Sequence, residues 1–378
     1  MKKGIALALA LGVTVVFAAS AVARPAAPVG ASFSCTGPTI GIAAPLTGAV
    51  AVIGQEQLSW LQYAMANFKK RYGLSFTLKQ GDTQLSASLS RTVAQKFVSD
   101  KNLLGVVGGS TSQSVISSGI LFKRNSLASI SGSATRADLT NGRYPTFFRV
   151  IPNDTVQARS IVGFVTRFLK VRNVMVIDSQ DDYSTALAAG MAPLFRARGV
   201  RVTRQSVANT ETDFSSIVTN VSSATRVVVF ATQTAAAANT LANQLREQGK
   251  NAVVLGSDGA FSPSEFKPRL GYVSSFAPDI RNIPADRALV AGYGKFAPGK
   301  TWGTFGPPTY LAGWVLMDAI RKACADGKIN RGEVVRQVRT TNLPSPLGGR
   351  LRFTPKGEAA GVNWYFFRIT NGKYKYVA

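Results

Sequence analysis

The fold is decided by the stretch NVMVIDSQDDYSTALAAGMAPLFRARGVRVTRQSV, residues 173–207. The apolar runs NVMVIDS at its start and VRVTRQSV at its end each predict a β-strand, and the segment between them predicts a helix. A strand, a helix and a second strand in this order are typical of a parallel sheet with crossover helices. The stretch therefore predicts an α/β protein.

The same alternation extends in both directions. Two more strands are predicted downstream, at 226–232 and 252–258, and four upstream: TIGIAAPL (39–46), SFTLKQGD (75–82), LLGVVGG (103–109) and LASIS (127–131). The two series predict two successive α/β units, with a first crossing between domains at 152–154. A third region starts near Arg281. It predicts helices over 309–325 and 331–340 and strands over 350–355 and 364–370, which finish one or both sheets.

The amino terminus predicts an export signal. Lys2 and Lys3 precede an apolar run that ends near Ala19, and the small residue Ala23 marks a cleavage site. The apolar run is short for a membrane span. We expect residues 1–23 to be removed and the rest, which is more than one hydrophobic core usually supports, to form two domains outside the cytoplasm.

Composition excludes several classes of function. The 44 basic and 19 acidic residues give a formal net charge of +25, but Lys and Arg are scattered without a basic helix or a nucleic-acid-binding motif. The chain has no histidine, which is the commonest general base and metal ligand. We therefore expect no enzyme, no cofactor or metal, and no nucleic acid partner. A surface protein that binds polyanions stays open as an alternative.

The two cysteines, Cys35 and Cys324, predict a disulfide. In an exported chain an even number of cysteines favours pairing over metal binding. The alternative is two unrelated buried thiols.

One motif points to a nucleotide, but its context argues against it. Residues 294–301, GKFAPGKT, match the phosphate-binding pattern G-x-x-x-x-G-K-[ST]. That loop binds phosphate only between a buried strand and a helix. Here a predicted helix, PADRALVAGY (284–293), precedes it and a loop follows. We therefore predict no nucleotide site.

Polar loops at strand ends are the remaining candidates, because open α/β sheets bind ligands there. LLGVVGG runs into the hydroxyl residues 110–112, and LASIS runs into 132–135. Hydroxyls and free N–H groups at a helix start suit an anion, although plain helix capping by serine is the alternative. Two such strand ends side by side favour a carboxylate site.

The second unit offers complementary groups. Tyr183 and Asp258 each follow a predicted strand. A tyrosine packed on a helix and an aspartate in a glycine-flanked turn are the simpler accounts. Together with the donors of the first unit, however, a carboxylate and an aromatic ring complement a zwitterion.

An ordered set of landmarks carries a resemblance to a known family. These are 40–73, VVGGSTSQSV (106–115), SGSATRADLT (131–140), RYPTFFRVIPND (143–154), DDYSTALAAG (181–190), VLGSDGAF (254–261) and PPTYLAGWVLMDAI (307–320). The chain resembles the type I periplasmic binding proteins of the branched-chain amino acid ABC transporter group over nearly all of its mature length. The resemblance implies two Rossmann-like lobes with parallel sheets, joined by a three-crossing hinge that closes like a Venus flytrap. The implied lobes are 36–150 with 281–363, and 151–280 with 364–378.

The resemblance also implies roles for site residues. Ser112 holds the ligand carboxylate, Ser133 offers a backbone carbonyl to the ammonium, and Thr135 contacts both groups. Asp258 stands where the family has an acidic partner for the ammonium, and Tyr183 lines the ligand side chain.

Apolar walls and departures complete the implied site. Phe305 resembles a wall residue, Ile53 stands where branched-chain binders commonly have a tyrosine, and Gln233 or Thr234 replaces an aromatic ring. The implied protein is a monomeric solute receptor in the periplasm or another extracytoplasmic space. It delivers an amino acid, amide or carboxylate to a membrane ABC permease. A ligand sensor without transport is the alternative.

Overall fold

The computed structural model describes Met1 and residues 37–325 and 329–378. The predicted signal segment after Met1 and Cys35 lie outside the described residues. The cleavage near Ala23 and the Cys35–Cys324 disulfide therefore stay predictions.

The described residues form fourteen strands and ten α-helices in an alternating order. The strands are β1 Thr39–Ala44, β2 Thr77–Asp82, β3 Leu103–Gly108, β4 Ala128–Ser131, β5 Phe147–Arg149, β6 Asn173–Asp178, β7 Arg201–Ser206, β8 Val227–Ala231, β9 Val253–Gly256, β10 Leu270–Ser275, β11 Asn342–Pro344, β12 Arg350–Arg352, β13 Tyr365–Thr370 and β14 Lys373–Tyr376. The helices are α1 Ala51–Tyr72, α2 Ala87–Ser99, α3 Ser112–Arg124, α4 Asp154–Gly163, α5 Asp182–Arg196, α6 Ser215–Thr219, α7 Ala235–Glu247, α8 Arg287–Phe296, α9 Gly306–Ala325 and α10 Arg331–Arg339.

Two sheets organise these elements. The first has the order β2-β1-β3-β4-β5 and is parallel throughout. The second has the order β14-β13-β10-β9-β8-β6-β7; its strands β6 to β10 are parallel, and β13 and β14 are antiparallel additions at one edge. The predicted α/β fold with two parallel-sheet lobes is confirmed.

The chain passes between the two sheets three times. It leaves the first sheet after β5, returns after β10 to form α8, α9 and α10, and re-enters the second sheet at β13. Helices α9 and α10 pack on β3 and β4 of the first sheet. We call the first sheet with its helices the first lobe, and the second sheet with its helices the second lobe.

Burial explains why these segments form strands and helices. Every residue of β1 and β3 is buried, as expected for parallel strands covered by helices on both faces. Helices α1 and α9 approach closely at Gly313, where an added Cβ would lie 2.5 Å from Cδ1 of Leu61. An alanine there would force the Leu61 side chain to move, so glycine allows the two helices to pack tightly over the first sheet.

The late region differs from its prediction in one respect. Residues 350–352 do form a strand, but β12 pairs with β11 in a separate hairpin and joins neither large sheet. Gly348 and Gly349 adopt positive φ in the turn and allow this local pairing. The second sheet is instead completed by β10, β13 and β14; of these, only β13 was predicted.

The nucleotide-like motif has the context that the sequence indicated. Gly294 lies inside α8, and Gly299 follows in a turn with φ of +75°. The segment before the motif is helical, so it lacks the strand that a phosphate-binding loop requires.

No helix in the described part of the chain combines the length and the apolar character needed to cross a membrane.

Candidate functional site

A small cavity, lined mainly by polar residues, lies where loops from the two lobes meet, and we call it the inner cavity. Its lining residues come from the amino end of α1, the loops after β3 and β4, the loops after β6, β8 and β9, and the segment before α9. They are Ile53, Ser110, Thr111, Ser112, Ser133, Thr135, Tyr183, Gln233, Asp258, Gly259 and Phe305. Carboxyl ends of parallel strands are where α/β sheets bind ligands.

The inner cavity gathers seven of the eight residues that the resemblance implied. They are Ile53, Ser112, Ser133, Thr135, Tyr183, Asp258 and Phe305. Thr234 is the N-cap residue of α7 and is not part of this lining; its neighbour Gln233 is.

The first lobe presents an uncapped helix end to the cavity. Thr111 is the N-cap residue of α3, but no side chain caps the helix there. The Thr111 hydroxyl is buried without a hydrogen-bond partner among the described residues. The first N–H groups of a helix have no partner within the helix and carry its positive dipole end. Plain serine capping therefore does not account for this loop, and the helix end suits an anion.

Before the start of α3, the backbone of Gly108 lies very close to the backbone of β1. Gly108, at the end of β3, has φ of +147°, and a Cβ there would lie 2.6 Å from the carbonyl oxygen of Ala43. Glycine is the residue that tolerates both conditions. The Ser110 hydroxyl then donates to the same Ala43 carbonyl at 3.0 Å and fixes the loop.

A chain of hydroxyls holds the loop after β4. Ser131 Oγ accepts hydrogen bonds from the N–H groups of Ser133 (3.2 Å) and Ala134 (2.9 Å). Ser133 Oγ donates to the Ser110 carbonyl at 2.7 Å and accepts from Gln57 Nε2 at 2.8 Å. The Ser133 hydroxyl is thus already bonded on both sides within the protein.

A buried arginine fixes the far end of the same loop. Arg149 is 0% exposed and forms an ion pair with Glu358, Nη2 to Oε1 at 2.6 Å. Its Nη1 donates to the carbonyls of Ala134 (3.0 Å) and Arg136 (2.8 Å). These two carbonyls flank Thr135, so the buried ion pair holds a cavity residue in place. The Arg149 guanidinium also helps to hold the pKa of Glu358 below its ordinary value, against the effect of burial.

The second lobe contributes a buried acidic network. Asp258 Oδ1 accepts hydrogen bonds from Tyr183 Oη (2.5 Å) and Gln157 Nε2 (2.6 Å), and Oδ2 is used by neither. Burial raises the pKa of Asp258 to about 6, although the bonds from Tyr183 and Gln157 oppose the rise. At neutral pH the cavity therefore holds a carboxylate that lacks a cation among its hydrogen-bond partners. The Tyr183 hydroxyl orients this acid, a role beyond that of a wall residue.

A second buried carboxylate, Asp154, lies close to the first. It is the first residue of α4, directly after the first crossing, and is 6% exposed. It lies beside the Thr135 hydroxyl, and neither of its oxygens has a well-formed hydrogen-bond partner among the described residues. Burial, and next the negative charge of Asp258, raise the pKa of Asp154 well above its ordinary value. The negative charge of Asp258 thus adds to the effect of burial in disfavouring the ionisation of Asp154.

The lobes touch across the cavity. Arg136 of the first lobe forms an ion pair with Asp182 of the second, Nη1 to Oδ1 at 3.2 Å. Gln233 of the second lobe donates to Gln113 of the first, Nε2 to Oε1 at 3.3 Å. The two lobes are therefore in direct contact, and the side chains that line the inner cavity are buried.

A larger cavity of about 780 Å³, part of it open to solvent, adjoins the inner one, and we call it the outer cavity. Its lining residues are Val52, Ile53, Gln55, Glu56, Phe261, Ser262, Pro263, Ser264, Tyr293, Gly299, Lys300, Thr301, Trp302, Gly303 and Phe305. The end of the nucleotide-like motif is part of this wall. Burial raises the pKa of Glu56 to about 7, against the opposing hydrogen bonds from backbone N–H groups.

Metal binding finds no support in the described part of the chain, where no three His, Cys, Asp or Glu residues form a group that could hold an ion. Cys324 is 1% exposed in α9.

Sequence reasoning missed several residues that shape the site: Gln57, Arg149, Asp154 and Gln157. Asp154 and Arg149 stand in the quoted landmark RYPTFFRVIPND, so a signal was present, but it gave no role. Gln57 and Gln157 stand within helices α1 and α4, and nothing in their local pattern indicates a contact with a distant loop.

Comparison with known proteins gives consistent matches. A model of the periplasmic binding protein family matches residues 38–373. The chain is 27% identical over 346 residues to Leu/Ile/Val-binding protein homolog 3 of Brucella melitensis, covering 89% of this chain and 92% of that one. It is 26% identical over 274 residues to an amino acid binding protein of Pseudomonas aeruginosa, covering 68% and 72%.

Solved structures share the fold. The leucine binding protein LivK from Thermotoga maritima superposes with a TM-score of 0.82 at 21% identity, over 90% of this chain and 98% of that one. LivJ from Streptococcus pneumoniae, in complex with isoleucine, superposes with a TM-score of 0.78 at 20% identity, over 90% and 99%.

Proposed function

Because the chain belongs to the periplasmic binding protein family, we propose that it is the solute receptor of an ABC importer and holds an α-amino acid in the inner cavity. The names of its relatives support this ligand class, since they include Leu/Ile/Val-binding and amino acid binding proteins. An amide or a simple carboxylate, each of which lacks one of the two charged groups of an α-amino acid, is the nearest alternative.

The observation that carries the proposal is the opposition of charge across the inner cavity. On one side the uncapped start of α3 and the hydroxyls of Thr111 and Ser112 offer donors to a carboxylate. On the other side Asp258 is buried, raised in pKa and without a cation among its hydrogen-bond partners. A zwitterion with adjacent carboxylate and ammonium groups satisfies both sides at once.

We propose individual roles from the family resemblance and from the position of these residues in the inner cavity. Ser112 and the helix end bind the ligand carboxylate, while Asp258 and the Ser133 carbonyl bind the ammonium. Thr135 lies between the two groups and contacts both. Ile53 and Phe305 bound the side-chain end, and Tyr183 holds Asp258 in its orientation.

Closure of the lobes captures the ligand. A ligand that bridges both lobes binds the closed form more tightly than the open one, and this difference drives closure. The charge-assisted hydrogen bonds strengthen as water is excluded. A membrane permease then receives the ligand from the closed receptor.

The remaining organisation is proposed on the sequence. Residues 1–23 direct export to the periplasm or another extracytoplasmic space, and Cys35 pairs with Cys324. The lobes comprise 36–150 with 281–363 and 151–280 with 364–378, and the receptor acts as a monomer without catalytic activity.

A ligand screen tests the function. Purified protein, shown to be folded and free of carried-over ligand, is titrated with amino acids, their amides, urea and simple carboxylates in a thermal-shift assay, and hits are measured by calorimetry. A ligand at 100 times its Kd adds about 2.7 kcal/mol and shifts the midpoint by several degrees. We expect hits among α-amino acids.

Two other results would replace the proposal. Silence in the screen together with strong, salt-dependent binding to heparin-like polymers would favour a polyanion-binding surface protein, a reading that the net charge of +25 supports. Amino acid binding with unchanged uptake in a strain lacking the protein, but altered signalling, would favour a sensor.

A further inference from the structure

The inner and outer cavities share two residues, Ile53 and Phe305, and have otherwise separate walls. Both side chains are apolar and buried. Phe305 is held by an edge-on contact with Phe276, with ring centroids 5.4 Å apart. The two shared side chains therefore form the boundary between a small polar cavity and a larger one.

Beyond that boundary the wall is largely aromatic and apolar. Phe261 and Pro263 line it from the second lobe, and Tyr293 and Trp302 line it from the first. Trp60, behind the wall, stacks on Tyr293 at a centroid distance of 4.0 Å and meets Trp302 edge to face at 5.1 Å. The Arg281 guanidinium covers one face of Trp302, 4.8 Å from the ring centroid. The rings are therefore held in place, and the parts that line the cavity favour a large, flat, apolar group.

The charged residues of the outer cavity do not favour an ionised group. Glu56 already accepts hydrogen bonds from the backbone N–H groups of Gly303 (2.8 Å) and Gly306 (2.5 Å) at the start of α9. Lys300 is exposed to solvent. Neither residue is a buried and unused partner, so the wall favours an uncharged ligand side chain.

We propose that the ligand side chain passes between Ile53 and Phe305 into the outer cavity, and that the ligand is an α-amino acid with a large, ring-bearing side chain. This inference rests on the proposed function, because the inner cavity must hold the amino and carboxylate groups. The outer cavity then selects the side chain by size and by contact with aromatic walls.

The first test compares ligands. Kd values of the purified protein are measured by calorimetry for L-alanine, L-leucine, L-phenylalanine and L-tryptophan, which share their polar groups and differ in the side chain. The two ring-bearing amino acids bind at least about tenfold more tightly than alanine, since even one methylene changes the affinity of an apolar pocket by about tenfold or more.

The second test fills the outer cavity from outside. Ser264 and Thr301 line it and are exposed, so Ser264→Trp and Thr301→Trp narrow it with little risk to folding. Ser223→Trp is the matched control, because Ser223 is exposed in the loop between α6 and β8 and is not part of either cavity lining. Both cavity variants weaken phenylalanine by about tenfold and alanine by less than about twofold, and the control changes neither.

The outcomes separate this inference from the function on which it rests. If alanine binds as tightly as phenylalanine, or if the cavity variants weaken all four ligands equally, the side chain does not enter the outer cavity, and amino acid binding still stands. If none of the four binds, and the wider screen finds no other amino acid, both proposals are wrong.

Discussion

The two halves of the inner cavity differ in the charge of the groups that line them. The first-lobe half is built from neutral groups: hydroxyls and the uncapped start of α3, where Thr111 Oγ1 has no partner among the described residues. The second-lobe half is built around the carboxylate of Asp258, which Tyr183 and Gln157 orient. Neutral dipoles cost less to bury than an ionised carboxylate that lacks a cation among its hydrogen-bond partners. The difference teaches that the acidic half depends more on the ligand for its stabilisation.

Removal of the Asp258 charge should have the largest effect on ligand affinity. Asp258→Asn keeps the size of the side chain and removes its charge, so we expect α-amino acid affinity to fall about 100-fold, or about 3 kcal/mol, as for a buried charge pair that loses one partner. A carboxylate ligand without the amino group should lose less than about threefold. Calorimetry measures both.

Asp213→Asn is the matched control, because Asp213 is exposed and bonds only neighbouring surface groups. Equal losses for the amino acid and the plain carboxylate would remove the ammonium-binding role from Asp258.

Acidification should weaken the same contact. The pKa of Asp258 in the ligand-free protein is raised to about 6, so the charge that binds the ammonium is present above pH 6 and is lost as the pH falls through 6. We expect affinity to be about tenfold lower at pH 5 than at pH 8, since one pH unit below a pKa reduces the ionised fraction about tenfold. Titrations across this range measure it.

Two comparisons identify the group responsible. The pH dependence should disappear in Asp258→Asn and for a ligand without an ammonium. A dependence that survives in Asp258→Asn would point to another raised carboxyl group instead, either Glu56 at the outer cavity or Asp154 beside Thr135.

A substitution in the neutral first-lobe half should reduce ligand affinity less than loss of the Asp258 charge. Thr111→Val removes a buried hydroxyl that has no partner in the described structure, so ligand affinity should fall about fivefold, or about 1 kcal/mol, with no loss of thermal stability. Amino acids and plain carboxylates should be affected equally. Thr111→Ser restores the hydroxyl and should restore binding; failure of this rescue would show that packing, and not the hydroxyl, is responsible.

The ion pair between Arg136 and Asp182, which joins the two lobes, should have the smallest effect on ligand affinity. Asp182→Asn removes the ion pair with Arg136, whose side chains are 44% and 27% exposed. Exposed pairs contribute little, so we expect about a twofold loss of affinity, and a smaller loss in high salt. A tenfold loss would mean that closure depends on this pair more than its exposure suggests. Asp138→Asn is the control, because Asp138 pairs with Arg136 within the same lobe.

Much of the site could be predicted because its residues stand in short local patterns. The hydroxyl residues 110–112 follow β3 after Gly109, and Asp258 follows β9 in a glycine-flanked turn. Since strand ends of parallel sheets meet at one edge, their convergence could be expected before the structure was known. Seven of the implied residues do lie together in the inner cavity.

The supporting residues could not be predicted because their partners are remote in the chain. Arg149 meets Glu358 across 209 residues, Gln57 meets Ser133 across 76, and Gln157 meets Asp258 across 101. A glutamine on a helix or an arginine in a strand has the same local pattern whether it faces water or a buried acid.

The sequence by itself determined the α/β class, the two successive units and the polar strand ends, because these follow from local periodicity and residue type. Only the tertiary structure decided that α3 starts uncapped, that the charge of Asp258 acts on Asp154, and that Ile53 and Phe305 lie between the inner and the outer cavity. These features depend on distances between side chains that different elements bring together, and hydrophobic patterning does not encode those distances.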